Sequence, residues 1–98
     1  MNSKFTMWSL YPFISRDISV WAKPGDEGEL KKVIVENAGA LLVKGPYLVD
    51  SFQKDGRTSF AFRLVFQSYE RTLTDGDVSE IMAKITNKIK ENSAWQVR

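Results

Sequence analysis

The chemistry open to this 98-residue chain is limited, because its sequence contains neither cysteine nor histidine. Without cysteine there is no disulfide framework and no thiolate metal site. Without histidine the chain lacks the commonest general acid–base group, a Ser-His-Asp catalytic triad and the usual zinc ligand. The carboxylates add no catalytic pattern: Asp26, Glu27, Asp75 and Asp77 suit two helix starts, where the helix dipole favours negative charge. No glycine-rich phosphate loop or EF-hand spacing occurs. We therefore expect no catalytic centre, metal site or cofactor in this chain.

A hairpin signal organises the residues that could bind a ligand. The pair Asp55-Gly56 favours a tight type I′ turn between two predicted strands, Tyr47–Phe52 and Thr58–Phe66. With that turn, the predicted partners are Phe52 with Ser59, Ser51 with Phe60, Asp50 with Ala61, Val49 with Phe62, and Leu48 with Arg63. Alternate residues of the second strand, Phe60, Phe62, Leu64 and Phe66, then share a strongly apolar face. We expect that face to be the core, and the opposite face to be free.

The opposite face combines residue types that suit nucleic acid. Phe52 could stack on a base, Asp50 could accept hydrogen bonds from a base edge, and Arg63 could contact phosphate. The small side chains of Ser59 and Ala61 would leave room for a flat ring. The first strand could add Asp17, Ser19 and Trp21. An equally simple interpretation is that these are solvated residues, with Phe52 and Trp21 packed on a neighbouring domain.

A second, weaker group is basic. Lys54, Arg57 and Arg71 could contact phosphate, although the net charge of the whole chain is only +2. No apolar run approaches the ~20 residues that span a bilayer, and the start lacks the apolar core of a signal peptide. We therefore expect a cytoplasmic protein without a membrane partner.

The remaining elements complete a known topology. A strand around Asp17–Trp21 precedes a helix that ends at Gly39, and a helix begins after Thr74, with Asp77 completing a capping box. A short last strand is predicted over Trp95–Arg98. The order strand, helix, strand, strand, helix, strand predicts an α+β, ferredoxin-like βαββαβ fold: a four-stranded antiparallel sheet with two helices on one face.

Three segments carry a resemblance at family level: residues 11–18 (YPFISRDI), 59–67 (SFAFRLVFQ) and 70–78 (ERTLTDGDV). In this order and spacing they resemble the ferredoxin-fold anticodon-binding domain at the C-terminus of the phenylalanyl-tRNA synthetase β chain. The resemblance covers roughly residues 11 to 92. It implies one domain over 11–98, with residues 1–10 a linker remnant or an artificial extension. The hairpin loop is shorter than the family's usual one.

The resemblance also implies a function. The domain would hold the anticodon stem-loop of phenylalanine tRNA, while a class II synthetase site elsewhere uses ATP and magnesium for aminoacylation. Its partners would be that tRNA, other β-chain domains and the catalytic α chain. The family's anticodon contacts match Asp50, Ser59 and Ala61, and a carboxylate could accept both donors on the Watson–Crick edge of guanine, the first anticodon base.

Several alternatives stay open on the sequence. A β-chain fragment and the last domain of a single-chain organellar synthetase fit the same motifs. An amino-acid-binding regulatory domain of the ACT type shares the topology. The domain could also serve for docking without RNA contacts, with Trp21, Phe52 and Trp95 packed on neighbouring chains.

Overall fold

The computed structural model describes residues 12–98, and their elements follow the predicted order. The elements are β1 (Ile14–Ala22), α1 (Glu27–Ala38), β2 (Leu42–Lys54), β3 (Arg57–Phe66), α2 (Asp75–Lys90) and β4 (Gln96–Val97). They form one antiparallel sheet in the order β2-β3-β1-β4. This confirms the ferredoxin-like α+β prediction. The proposed remnant at residues 1–10, together with Tyr11, lies outside the described residues.

Strict alternation along β1 and β3 puts one face of the sheet into the core. The buried apolar residues of the strands share one cluster with buried residues of both helices: Ile18, Val20, Ala22, Phe60, Phe62, Leu64 and Phe66 of the sheet, Leu30, Ile34 and Ala38 of α1, and Val78, Ile85 and Ile89 of α2. Both helices therefore cover this face. Phe60 and Phe62 are buried, as predicted, so they cannot stack on a ligand at the opposite face.

The start of α2 is fixed by the predicted capping box. The backbone N–H of Asp77 donates to Thr74 Oγ1 at 3.1 Å, and the backbone N–H of Thr74 donates to Asp77 Oδ2 at 2.9 Å. Arg71 Nη1 also donates to Asp77 Oδ2, at 2.7 Å. The Arg71 hydrogen bond, followed by those from Thr74, holds the pKa of the Asp77 carboxyl well below its usual value. Arg71 thus braces the loop that enters α2.

The start of α1 is built differently. Asp26 occupies the cap position, but its side chain makes no hydrogen bond to the helix N–H groups. Instead Asp26 Oδ2 accepts the indole N–H of Trp95 at 2.8 Å and the backbone N–H of Lys23 at 3.2 Å. Trp95 is only 8% exposed. The expectation that Trp95 packs on a neighbouring chain is therefore wrong, because its ring lies in this domain's own core.

The hairpin register is confirmed near the turn and wrong beyond it. Both turn residues have positive φ, 54° at Asp55 and 80° at Gly56, as a type I′ turn requires. The pairs Phe52–Ser59, Ser51–Phe60 and Asp50–Ala61 form as predicted, whereas Leu48 pairs with Phe62 and Tyr47 with Arg63. An irregularity between Leu48 and Asp50 leaves Val49 as an extra residue in β2. The pairs farther from the turn are therefore shifted by one position relative to the prediction. Tyr47 therefore replaces Leu48 beside Arg63.

β2 also extends further than predicted, because the strand continues through a Gly-Pro pair. Gly45 has a φ of 90°, and its backbone passes directly against the carbonyl oxygen of Arg63. A side chain at this position would collide with that oxygen. Glycine thus lets β2 continue pairing with β3 on both sides of Pro46.

The capping box makes the first prediction. Thr74→Ala removes the acceptor for the N–H of Asp77, so we expect a loss of about 1 kcal/mol in the free energy of unfolding. In a domain of this size that corresponds to a fall in Tm of ~4–8 °C. Thermal and urea unfolding followed by circular dichroism measure it. Thr72→Ala is the matched control, since Thr72 is exposed and makes no side-chain hydrogen bond within residues 12–98. Equal effects of the two substitutions would contradict the prediction.

Candidate nucleic-acid interface

The sheet face opposite the helices carries three rows of side chains across β2, β3 and β1. The strand registers define the rows as Phe52–Ser59–Trp21, Asp50–Ala61–Ser19 and Tyr47–Arg63–Asp17. We call these nine residues the open face. Paired residues of antiparallel strands point to the same side, so each row is a set of neighbours. All five residues predicted to contact the anticodon, Asp50, Phe52, Ser59, Ala61 and Arg63, lie on it.

The middle row presents an available carboxylate. Asp50 is exposed, and it makes no hydrogen bond or ion pair with any residue between 12 and 98. Its neighbours across the row, Ala61 and Ser19, are small and partly buried. An ionised carboxylate accepts hydrogen bonds at both oxygens. This row can therefore receive a flat group that carries two donors.

The Tyr47–Arg63–Asp17 row is dominated by an ion pair. Arg63 Nε donates to Asp17 Oδ1 at 2.9 Å and Arg63 Nη2 donates to Asp17 Oδ2 at 3.1 Å, a two-point contact. The hydrogen bond from Arg63 lowers the pKa of the Asp17 carboxyl, against a smaller opposing effect of burial. Arg63 thus has an internal counter-ion, which the prediction of a phosphate or base contact did not include.

The Phe52–Ser59–Trp21 row forms a cluster with two arginines, Arg57 and Arg98. We call these five residues the aromatic corner. The rings of Trp21 and Phe52 meet edge to face with centroids 5.4 Å apart. The Arg98 guanidinium lies 5.4 Å from the Trp21 centroid and 5.0 Å from that of Phe52, and the Arg57 guanidinium lies 5.3 Å from Trp21. These distances are typical of cation–π contacts.

Hydrogen bonds to neutral acceptors hold both guanidinium groups in place. Arg98 Nη1 donates to Ser59 Oγ at 2.7 Å, and Arg57 Nη1 donates to Gln96 Oε1 at 3.2 Å. Ser59 is only 1% exposed. Its hydroxyl is therefore already bound and covered, although the residue lies in the predicted position.

Sequence reasoning missed Arg98 and Gln96. The sequence indicated these residues only as part of a short predicted last strand. Their position on the open face depends on which strand that last strand pairs with. β4 lies beside β1 with Trp21 opposite Gln96 and Val20 opposite Val97, and the Arg98 backbone N–H donates to the Ser19 carbonyl at 2.9 Å. This edge pairing brings the end of the described chain onto the open face.

The three weaker phosphate candidates do not form one patch. Lys54 and Arg57 pair at the hairpin end of the sheet, and Lys54 is exposed. Arg71 follows the other end of β3 and is bound to Asp77. Of these three candidates, Lys54 and Arg57 therefore lie at the end of the sheet that carries Phe52 and Trp21, and Arg71 does not.

The described part of the chain contains neither a cluster of metal ligands nor a membrane-spanning helix. Within residues 12–98, histidine-, cysteine- and carboxylate-type ligands do not gather in groups of three or more. In the same residues, no helix has the length and apolar character needed to cross a membrane.

Comparison with known families connects this geometry to a domain type. Residues 9–98 match the family described as the ferredoxin-fold anticodon binding domain. The chain belongs to this family. The match extends through β4 to Arg98, the residue directly after that strand.

Individual relatives are phenylalanine–tRNA ligases. The chloroplastic/mitochondrial enzyme of Arabidopsis thaliana is 35% identical over 101 residues, which cover 100% of this chain and 23% of the relative. The mitochondrial enzyme of Saccharomyces cerevisiae is 30% identical over 105 residues, covering 98% and 22%. The β subunit of the Bacillus cereus enzyme is 33% identical over 93 residues, covering 90% and 11%. The chain thus spans less than a quarter of each of these relatives.

The Asp17–Arg63 pair makes the second prediction. A carboxyl that Arg63 stabilises in its charged form titrates below the ordinary aspartate value of about 3.9, so its contribution to stability is present above that pH and is lost as the pH falls through the lowered pKa. In Arg63→Gln we expect the Asp17 midpoint to rise towards about 3.9. Carboxyl ¹³C NMR measures it. Arg16→Gln is the control, because Arg16 pairs with Asp75; an unmoved midpoint in Arg63→Gln would contradict the assignment.

Proposed function

We propose that this domain binds the anticodon stem-loop of phenylalanine tRNA on its open face, as part of a phenylalanine–tRNA ligase. Membership of the anticodon-binding family and the names of the relatives support the assignment. The observation that carries it is Asp50, whose exposed carboxylate has no partner among residues 12–98 and lies beside the small Ala61 on the sheet face opposite the two helices. Family membership also favours this function over an amino-acid-binding regulatory domain.

The chemistry of the middle row fits guanine, the first base of the phenylalanine anticodon. Guanine offers two donors on its Watson–Crick edge, and single-stranded RNA presents such edges when its bases are unstacked. Asp50 accepts both donors, one at each carboxylate oxygen, while Ala61 leaves room for the ring. Phe52, which is 42% exposed and two residues along β2, offers a ring for stacking.

The other two predicted contacts act differently in this proposal. Ser59 supports the interface through Arg98, because its hydroxyl already accepts the Arg98 hydrogen bond and is covered. Arg63 contributes less than a free arginine would, since Asp17 neutralises it. Base recognition therefore depends mainly on Asp50, with Ala61 and Phe52 shaping the place where the base lies.

Isolated binding is expected to be weak and sensitive to salt. The net charge of +2 supplies few contacts that release counterions from RNA. In a complete ligase, contacts elsewhere on the same tRNA raise the effective concentration of the anticodon at this domain. The domain then positions a tRNA that is already held.

Aminoacylation itself belongs to another part of the enzyme in this proposal. ATP and magnesium act at that catalytic site, and this chain supplies no catalytic group. Where the ligase has separate subunits, the domain is carried by the β chain and works with the catalytic α chain and with other β-chain domains. A cytoplasmic location stays a prediction, because the relatives include organellar enzymes.

The third prediction concerns Asp50→Asn. An asparagine side chain has one acceptor and one donor group, so it cannot accept both guanine donors. We expect the affinity for the anticodon stem-loop to fall about tenfold to a hundredfold, the usual range for a hydrogen bond to a charged group. The preference for guanine over adenine at the first anticodon base is also expected to disappear. Titrations by NMR at low salt measure both quantities.

The matched control is Asp55→Asn, which makes the same charge change at the hairpin turn, where asparagine also tolerates the positive φ of 54°. This variant is expected to keep the preference for guanine. A wild-type domain that binds both loops equally, or an Asp50→Asn variant that still prefers guanine, would contradict base recognition by Asp50.

A further inference from the structure

The five arginines of the chain divide into two groups by their partners. Three form ion pairs with aspartates: Arg16 with Asp75 at 2.8 Å, Arg63 with Asp17 at 2.9 Å and Arg71 with Asp77 at 2.7 Å. Arg57 and Arg98 have no carboxylate partner among residues 12–98. These two lie against the same ring, that of Trp21. The arginines without a counter-ion are therefore gathered at one place, the aromatic corner.

The interactions that hold them orient the guanidinium groups without neutralising them. Each group has one hydrogen bond to a neutral acceptor, Ser59 Oγ for Arg98 and Gln96 Oε1 for Arg57, and each lies within 5.4 Å of the Trp21 centroid. A guanidinium has five N–H donors. Within residues 12–98, no carboxylate therefore offsets either charge and several donors of each group have no partner; both residues are exposed.

We propose that Arg57 and Arg98, held on Trp21, form a clamp for a phosphodiester group of the bound RNA. The inference rests on the proposed function and adds the site that takes the RNA backbone. Arginine suits this ligand because its planar donors match phosphate oxygens in pairs. Trp21, Ser59 and Gln96 are positioning residues, which fix the two guanidinium groups before RNA arrives.

The clamp lies at the right distance from the proposed base site. The aromatic corner and the Asp50 row are consecutive rows on the same face, two residues apart along each strand, which corresponds to about 7 Å. A base held at Asp50 therefore brings its own or the next phosphate within reach of the long arginine side chains. The Asp50 row would thus bind the base, and the adjoining aromatic corner would bind a phosphate of the same or the next nucleotide.

The test uses the salt dependence of binding, which reports how many phosphates the protein neutralises. Fluorescence anisotropy with a labelled phenylalanine anticodon stem-loop gives the affinity at several salt concentrations. The slope of log affinity against log salt is expected to become shallower by about 0.7–0.9 for each phosphate that is no longer neutralised. We expect part of this change in Arg57→Gln and in Arg98→Gln, because each leaves one arginine on the phosphate, and the full change for one phosphate in the double variant. Arg16→Gln is the control, since it removes the same charge from an arginine that already has a counter-ion.

Trp21→Leu tests the positioning role, because it removes no charge. We expect it to reduce the salt slope as the arginine variants do, while circular dichroism and the amide NMR spectrum report whether the fold is kept. If this variant does not fold, the two arginine variants decide the question alone, since both side chains are exposed. Slopes for Arg57→Gln and Arg98→Gln that equal the slope for Arg16→Gln would overturn the clamp.

A second RNA separates this inference from the proposed function. A stem-loop with adenine in place of the first-base guanine keeps every phosphate, so the clamp predicts the same reduction of the slope with either RNA. A reduced slope without any preference for guanine would support the clamp and contradict base recognition. A preference for guanine with unchanged slopes would contradict the clamp alone. Absence of binding to both RNAs at low salt would overturn both.

Discussion

The open face exists because residues 60–66 of β3 alternate between buried core residues and residues on the opposite side of the sheet. Phe62, Leu64 and Phe66 are completely buried on one side, while Ala61, Arg63 and Val65 lie on the other. Each large apolar side chain contributes about 1.5–3 kcal/mol by leaving water. A slip of one residue would expose the whole buried set, at a cost comparable with the total stability of a small domain. Because side chains alternate with a period of two, the burial of the apolar face therefore decides which residues lie on the open face.

Two kinds of positive charge can be distinguished in this domain. Arg16, Arg63 and Arg71 are paired with aspartates and brace the domain. Arg57 and Arg98 are oriented by an aromatic ring and by neutral acceptors, so their charge is still available. A count of basic residues along the sequence does not separate these groups. The distribution of counter-ions in space does, and among the arginines of residues 12–98 it leaves the unpaired charge at one edge of the open face.

Asp26 was predicted to cap a helix locally, but its side chain makes a long-range contact with Trp95. An aspartate before a helix predicts a cap, and the helix does begin there. The carboxylate instead accepts the indole N–H of Trp95 from near the other end of the chain. This hydrogen bond satisfies the polar atom of a buried ring, which is the usual requirement for tryptophan in a core. It also fixes the approach to β4, and so the place where Arg98 reaches the open face.

The sequence by itself determined the elements, their order, the type I′ turn, the capping box at Thr74 and the separation of Phe60 and Phe62 from the open face. These follow from local rules: side-chain period, turn chemistry and helix capping. Three features were decided only by the tertiary structure. Val49 enters as an extra residue where β2 bends along β3, which moves Tyr47 beside Arg63. The pairing of Arg63 with Asp17 depends on β1 lying next to β3.

The third feature is the aromatic corner, which joins residues 21, 52, 57, 59 and 98. Four of these residues lie in β1, β2 and β3, and Arg98 directly follows β4. No single segment of the sequence therefore predicts the cluster. Their meeting depends on two long-range registers and on a last strand of two residues, whose pairing the packing of Trp95 stabilises. Local patterns specify which side chains face outward. The arrangement of the sheet decides which of those side chains become neighbours, because strand order is set by the global packing of the chain.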